Sequence, residues 1–226
     1  MKIKVLSPGG FASAAIRLDA GERFISESGA MVRMTSGIDT DVTTRAKKKG
    51  GVLGGLKRLL GGDSFFLSTY TARKPAEVVI APTLPGDIAV LQLDGSQRWM
   101  CAGGSYLGSG TDVETDMKFQ GLKGFFSGES LFFLETSGEG PVVINAFGLL
   151  QAIDIDGDYT IDTGHVVAYE DSLQYDITKA GGSWLQSFLA GEGFVMNFHG
   201  RGRVLVQSHN PTEFGQSIGS QLPPRG

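Results

Sequence analysis

The chain has 226 residues, enough for one large β domain or several small ones, and its 34 glycines follow no Gly-X-Y period, which excludes collagen and points to many turns. Twenty Lys and Arg against 24 Asp and Glu leave a net charge of −4, so there is no global field for gripping nucleic acid. Apolar residues at 41% and charged ones at 19% exclude a disordered chain, while the single cysteine, Cys101, excludes an intramolecular disulfide and reads as a cytoplasmic protein.

In chain order, Met1-Lys2-Ile3-Lys4-Val5-Leu6 imitates a signal peptide but breaks at Ser7-Pro8-Gly9-Gly10, and the roughly 7–15 apolar residues of a secretory core do not follow. No stretch approaches the ~18 apolar residues of a spanning helix. Leu18-Asp19-Ala20-Gly21 opens a strand-like run that reaches Met34. A basic insertion then occupies roughly residues 43–61, and residues 64–70 and 77–80 read as two strands of a hairpin. Ile88-Ala89-Val90-Leu91-Gln92-Leu93 alternates into Asp94-Gly95, and Ile153 to Ile161 alternates around Asp156-Gly157. Asp-Gly between alternating runs is a hairpin signal, because both turn residues need positive φ. Residues 130–136 with 141–144, and 193–199 with 203–206, repeat the strand–turn–strand pattern. The segment from Asn210 to Gly226, with three prolines and no period, reads as an extended or frayed tail.

The chain repeats itself. Residues 55–63, 121–129 and 184–192 align on one pattern with Leu in second place and Gly-acid at the end, marked by Gly62-Asp63, Gly128-Glu129 and Gly191-Glu192. Barely two turns long and bounded by glycine, these segments read as short helical links. The fold is all-β, built three times: repeat one over 1–84 with the basic insertion, repeat two over 85–149, repeat three over 150–215, and a flexible tail at 216–226.

Few motifs carry chemistry. Arg45, Lys47, Lys48, Lys49, Lys57 and Arg58 form a basic cluster with no acid between 43 and 62, and Val52, Leu53, Leu56, Leu59 and Leu60 lend it an apolar side. That pattern fits an anionic lipid or nucleic acid, or a solvated loop, with no aromatic residue for base stacking. The recurring acids Asp63, Glu129 and Glu192 read as structural, accepting backbone N–H groups where repeats join. Gly50 to Gly55 misses the phosphate-loop pattern because Leu56 precedes Lys57. Gly215-Gln216-Ser217-Ile218-Gly219 spells a nucleophile elbow, yet no acid or histidine follows it. Asp154-x-Asp156-Gly157-Asp158 departs from a calcium loop, with glycine fourth rather than sixth. His165, His199 and His209 show no metal-ligand spacing, and His199 aligns with Tyr70 and Thr136 in the other repeats. Cys101, beside Trp99 and Met100, reads as a packed thiol. No catalytic residue, metal ligand or cofactor site is expected.

Glu27-Ser28-Gly29-Ala30-Met31, the Gly-acid strand starts, Ala102-Gly103-Gly104-Ser105 and the closing Val204-Leu205-Val206-Gln207-Ser208 together resemble one family. It is the bacterial branch of the altered-inheritance-of-mitochondria twenty-four family, and the likeness spans about 1–215. The resemblance implies three β-domains similar to the tryptophan RNA-binding attenuation protein, a short relative of the double-stranded β-helix, associating as a homotrimer with nine domains in a ring. It brings no catalytic residues. Mitochondrial members are linked with inner-membrane organisation.

The reading that follows is a non-enzymatic, scaffold-like assembly protein whose first partner is itself, with strand faces such as Phe65, Phe66, Phe132 and Phe133 covered on ring closure. The alternative is a binding module for anionic lipid or nucleic acid through the basic insertion, although a nucleic-acid belt would need basic residues in every unit. A third is a metal-dependent, cupin-like enzyme with ligands such as His165 or His199 shared between subunits.

Overall fold

A computed structural model describes residues 1–44, 66–119, 132–179 and 194–223. The described fold is all-β with antiparallel strand pairing between its named strands, apart from one short helix and one 3-10 turn. The three expected helical links, the basic cluster and the recurring acids lie outside the described residues.

The N-terminal strand β1 (Lys2–Leu6) runs beside β2 (Ser13–Leu18), from Lys2↔Arg17 to Leu6↔Ser13. On its other side β2 pairs with β7 (Ala76–Ile80), Ala14 facing Ile80 and Leu18 facing Ala76. Strands β3 (Arg23–Glu27) and β5 (Ile38–Thr44) flank β6 (Phe66–Ala72), while β4 (Met31–Met34) takes the second side of β7. Next, β8 (Ile88–Asp94), β9 (Trp99–Ala102), β10 (Tyr106–Gly110) and β11 (Val113–Phe119) all pair with one long strand, β12 (Phe132–Asn145). Finally β13 (Leu150–Asp162), β14 (Val166–Glu170) and β15 (Gln174–Lys179) pair with β16 (Phe194–Gln207). The register slips by one residue at Met31/Arg33 on β7, at Tyr106/Gly108 on β12 and at Val166/Ala168 on β16.

Two further pairings stitch these groups together. Strand β10 lies between β12 and β3, through Gly108↔Ser26, Ser109↔Ile25 and Gly110↔Phe24. Strand β14 lies between β16 and β9, through Ala168↔Cys101, Tyr169↔Met100 and Glu170↔Trp99. Among the described residues β4 has only β7 beside it and β13 only β16, so each keeps one free edge.

The structure corrects the hairpins. Residues 132–145 and 194–207 are single continuous strands, and β6 and β7 do not pair with each other. The polar turn between their halves bends the strand without reversing it: Gly138 and Gly140 take φ of +92° and +124° while both stay paired, to Val113 and Leu93. The Asp-Gly signals end the same way. Gly95 turns the chain from β8 to β9, which both pair with β12, and Gly157 sits inside β13 opposite Gly200. A hairpin needs adjacent strands to prefer each other; here a shared third strand, β12, supplies the ladder partners of both β8 and β9.

The tail is also corrected. Pro211–Gly219 is a helix, α1, whose first N–H groups are accepted by the Asn210 side chain at Thr212 and Glu213. Proline at its first turn has no N–H to lose, so Asn210-Pro211 starts a helix rather than breaking one.

Three apolar clusters fill the interior, and they cross the sheet groups: Leu107, Ile88 and Val143 pack with Phe24, Ile16 and Tyr70. Phe24, Phe133 and Phe198 are fully buried, each worth roughly 1.5–3 kcal/mol over an exposed position. Phe133 packs edge-on against Tyr169 at 5.2 Å, so this chain itself covers a side chain expected to await ring closure.

Candidate binding site

Three turns meet at one cavity. The first joins β3 to β4, where Gly29 at φ +91° lets the Ala30 N–H reach Glu27 O. The second, Ala102-Gly103-Gly104-Ser105, joins β9 to β10 and closes through Ser105 N–H to Ala102 O at 3.0 Å. The third is the 3-10 turn Thr163–His165, capped by Asp162, whose carboxylate accepts the Gly164 N–H at 2.8 Å. Together with Pro82–Leu84, Phe132, Phe147 and the start of α1, they line a cavity of about 560 Å³.

The second and third turns are held by amide side chains on the long strands. Asn145 at the end of β12 donates to Gly104 O at 3.0 Å and Ser105 O at 3.1 Å. Gln207 at the end of β16 donates to Gly164 O at 2.8 Å and accepts the Phe147 N–H at 2.8 Å. Close approach dictates Gly103: a Cβ there would stand 2.4 Å from the Phe132 ring. At the far wall Phe147 packs at a tilt against Phe214 of α1, centroids 5.1 Å apart, which holds the helix beside the cavity.

Among the described residues that line the cavity, Glu27 is the one ionisable side chain. It is half-buried, burial pushes its carboxyl above the usual carboxylate range, and no described cation or hydrogen-bond donor meets it. On the described wall this carboxyl is joined by the hydroxyls of Thr83, Ser105, Thr163 and Thr212, polar groups that can hold a ligand.

The other residues marked by the sequence are scattered. Cys101 is fully buried in β9 and its thiol is pushed up to about 12 by burial. Ser217 stands exposed on α1. Asp154, Asp156 and Asp158 share one outward face of β13, against Arg203, Arg201 and His199. The alignment of His199 with Tyr70 and Thr136 is one residue off: those two are buried, as is Phe198, whereas His199 is exposed. A one-residue slip turns a side chain to the opposite face of a strand. His165 lies beside the cavity, its Nδ1 2.8 Å from Gln207 O. Among the described residues no three His, Cys, Asp or Glu side chains gather as metal ligands, and no helix is long and apolar enough to cross a membrane. Sequence reading missed the Glu27 cavity, although Glu27–Ala30 and Ala102–Ser105 were among the residues that carried the family resemblance.

Residues 4–209 match the family model described as mitochondrial biogenesis AIM24. The chain belongs to the AIM24 family. This AIM24 chain is 31% identical over 221 residues to an uncharacterized protein of Streptococcus pyogenes serotype M6, covering 94% of this chain and 88% of that one. It is also similar to a crystal structure of a Streptococcus pyogenes protein, with a TM-score of 0.79 and 29% identity over 98% of this chain and 99% of the other. The AIM24 resemblance read from the sequence is thus correct, and these relatives carry no catalytic name.

Proposed function

We propose that this AIM24 chain is a non-catalytic assembly protein. Its three β units, 1–84, 85–149 and 150–215, join copies head to tail into a homotrimeric ring. Several strands have one neighbour among the described residues, and the observation that carries this reading is the matching register of two of them, β4 and β13. Within the chain, β10 and β14 each bridge from their own long strand to the preceding group, and each bears a one-residue slip. Strand β4 bears the same slip on β7 but, among the described residues, has no strand on its other side. Extending the pattern sets Arg33, Met34 and Thr35 of one copy against Ile161, Thr160 and Tyr159 of the next, along the free edge of β13.

The surface of both strands supports it. Met31, Val32 and Met34 are 42%, 59% and 44% exposed and Tyr159 is 47% exposed, apolar surface on edges that invite pairing. A head-to-tail interface that closes pairs β4 with β13 in every copy. The number three comes from the family likeness. Native mass spectrometry tests it: the expected mass is three times 24.0 kDa. The N–H of Thr35 donates to Glu77 O, so the N–H of Met34 points away from β7, and Met34→Pro removes an outward donor while sparing the β4–β7 ladder. This variant is expected to be folded and monomeric; an unchanged oligomer, or a monomeric parent chain, refutes the reading.

A second reading keeps the basic cluster Arg45, Lys47, Lys48, Lys49, Lys57 and Arg58 as a contact for an anionic lipid surface or nucleic acid. What favours it is the charge separation: six basic residues with no acid in a chain of net charge −4. Replacing Arg45, Lys47, Lys48 and Lys49 by Ser should weaken binding to anionic vesicles and flatten its salt dependence.

A further inference from the structure

We infer that the cavity where the three turns meet binds a small molecule carrying a primary ammonium group on an apolar body, with the Glu27 carboxylate as its counter-charge. At about 560 Å³ the space suits a compact organic molecule, within the range of roughly 300–1,000 Å³ usual for such sites.

Charge selects the ligand's sign. Glu27 is the ionisable group on the described wall, it is half-buried, and nothing described neutralises it. Burial already holds its carboxyl above the ordinary range, so an incoming cation relieves a desolvated charge and an anion meets repulsion. A hard divalent ion wants several oxygen ligands, and the wall offers a single carboxylate. An ammonium group needs fewer: three N–H donors can be shared by Glu27 and the hydroxyls of Thr83, Thr163 and Thr212.

The walls select the body. Leu84, Phe132, Phe147 and Val166 are apolar, and the amides of Asn145 and Gln207 are already engaged by turn carbonyls. A polyhydroxylated ligand would therefore find few free partners, whereas a short alkyl or aromatic group covers surface that is otherwise wet.

Isothermal titration of the full-length chain, paired with amide NMR shifts, tests this with phenethylamine and hexylamine as probes. Phenethyl alcohol is the neutral control of nearly equal size. Expected is saturable one-site binding of the amines with shifts at Gly103, Gly104 and Gly164. The alcohol should bind about tenfold more weakly, and Glu27→Gln should weaken the amines by a similar factor. The inference is overturned if neither amine binds saturably, if the alcohol binds as well as phenethylamine, or if the shifts fall away from these turns. The comparison of amine with alcohol needs no variant, so it decides even if Glu27→Gln folds poorly.

Discussion

His199 Nδ1 lies 2.8 Å from Asp158 Oδ1 directly across the β13–β16 ladder, and its Nε2 lies 3.0 Å from Asp176 Oδ2 on β15, so one imidazole ties three strands. It is one rung of a polar face: Asp154 meets Arg203, Asp156 meets Arg201 and Thr160 meets Asn197, each with its register partner. The run of aspartates in β13 is thereby explained as cross-strand pairing rather than as a cation loop.

That rung makes stability depend on pH. Hydrogen bonds to Asp158, then Asp176, raise His199 above its ordinary 6.5, and the bond to His199 lowers Asp176 below its ordinary 3.8. A raised histidine stabilises fully below 6.5 and loses its effect as pH climbs through the higher folded value; a lowered aspartate stabilises above 3.8 and loses its effect as pH falls. The joint contribution peaks between these limits. The Tm gap between the parent chain and His199→Asn should be widest near pH 5–6 and should close on the alkaline side. A gap independent of pH would refute this assignment.

The joints between sheet groups tolerate no side chain. Gly86 pairs with Gly148, Ala12 donates to Gly86 O at 2.8 Å, and a Cβ on Gly86 would fall 1.6 Å from Ala146 O. That obstacle is backbone, which cannot swing aside. Gly86→Ala should therefore cost roughly 3 kcal/mol in denaturant unfolding, the upper end of overpacking. Gly10→Ala, with nothing within 4 Å of the added carbon, should stay within about 0.5 kcal/mol.

Tyr175 gives the opposite sign. Its ring packs among Phe133, Tyr169 and Phe198, and among the described residues its buried hydroxyl has no well-formed hydrogen bond, only the nearby Tyr169 hydroxyl. Tyr175→Phe keeps the ring and removes the unsatisfied oxygen, so unfolding free energy should rise by about 1 kcal/mol. A loss of similar size would mean the hydroxyl is satisfied in solution.

The strands were legible because alternation is local: Ile88 to Leu93 reads as β8 from six residues alone. Their partners were not, because a period of two does not say whether β8 prefers β9 or a strand some forty residues on; both chose β12. Glycine misled for the same reason, since positive φ at Gly157 serves a bend as readily as a reversal. The cavity depends on turns near 27, 103 and 164 meeting in space, and a lone glutamate in the first of them has no motif to announce it. In α1 the start signal, Asn210-Pro211, is local, but nine residues with glycines at 215 and 219 show no helical period to go with it.

The helix supplies a last test, of local rather than global stability. Every residue of α1 is outside the buried core, so its order rests on the Asn210 cap, the Phe147–Phe214 contact and its own nine residues. Nine residues alone are too few for a stable helix in water. Asn210 accepts the Thr212 N–H at 3.0 Å and the Glu213 N–H at 3.4 Å, and it packs so closely on Gly164 that a Cβ there would lie 2.2 Å from its amide. Asn210→Ala should cost the helix about 1 kcal/mol. Amide exchange at the hydrogen-bonded Phe214 and Ser220 should then speed up about fivefold, while the Tm of the β body stays nearly constant. Because Pro211 and Thr212 border the cavity, the same variant should loosen amine binding there. A drop in global Tm with unchanged helix exchange would show instead that the cap belongs to the β body's cooperative unit.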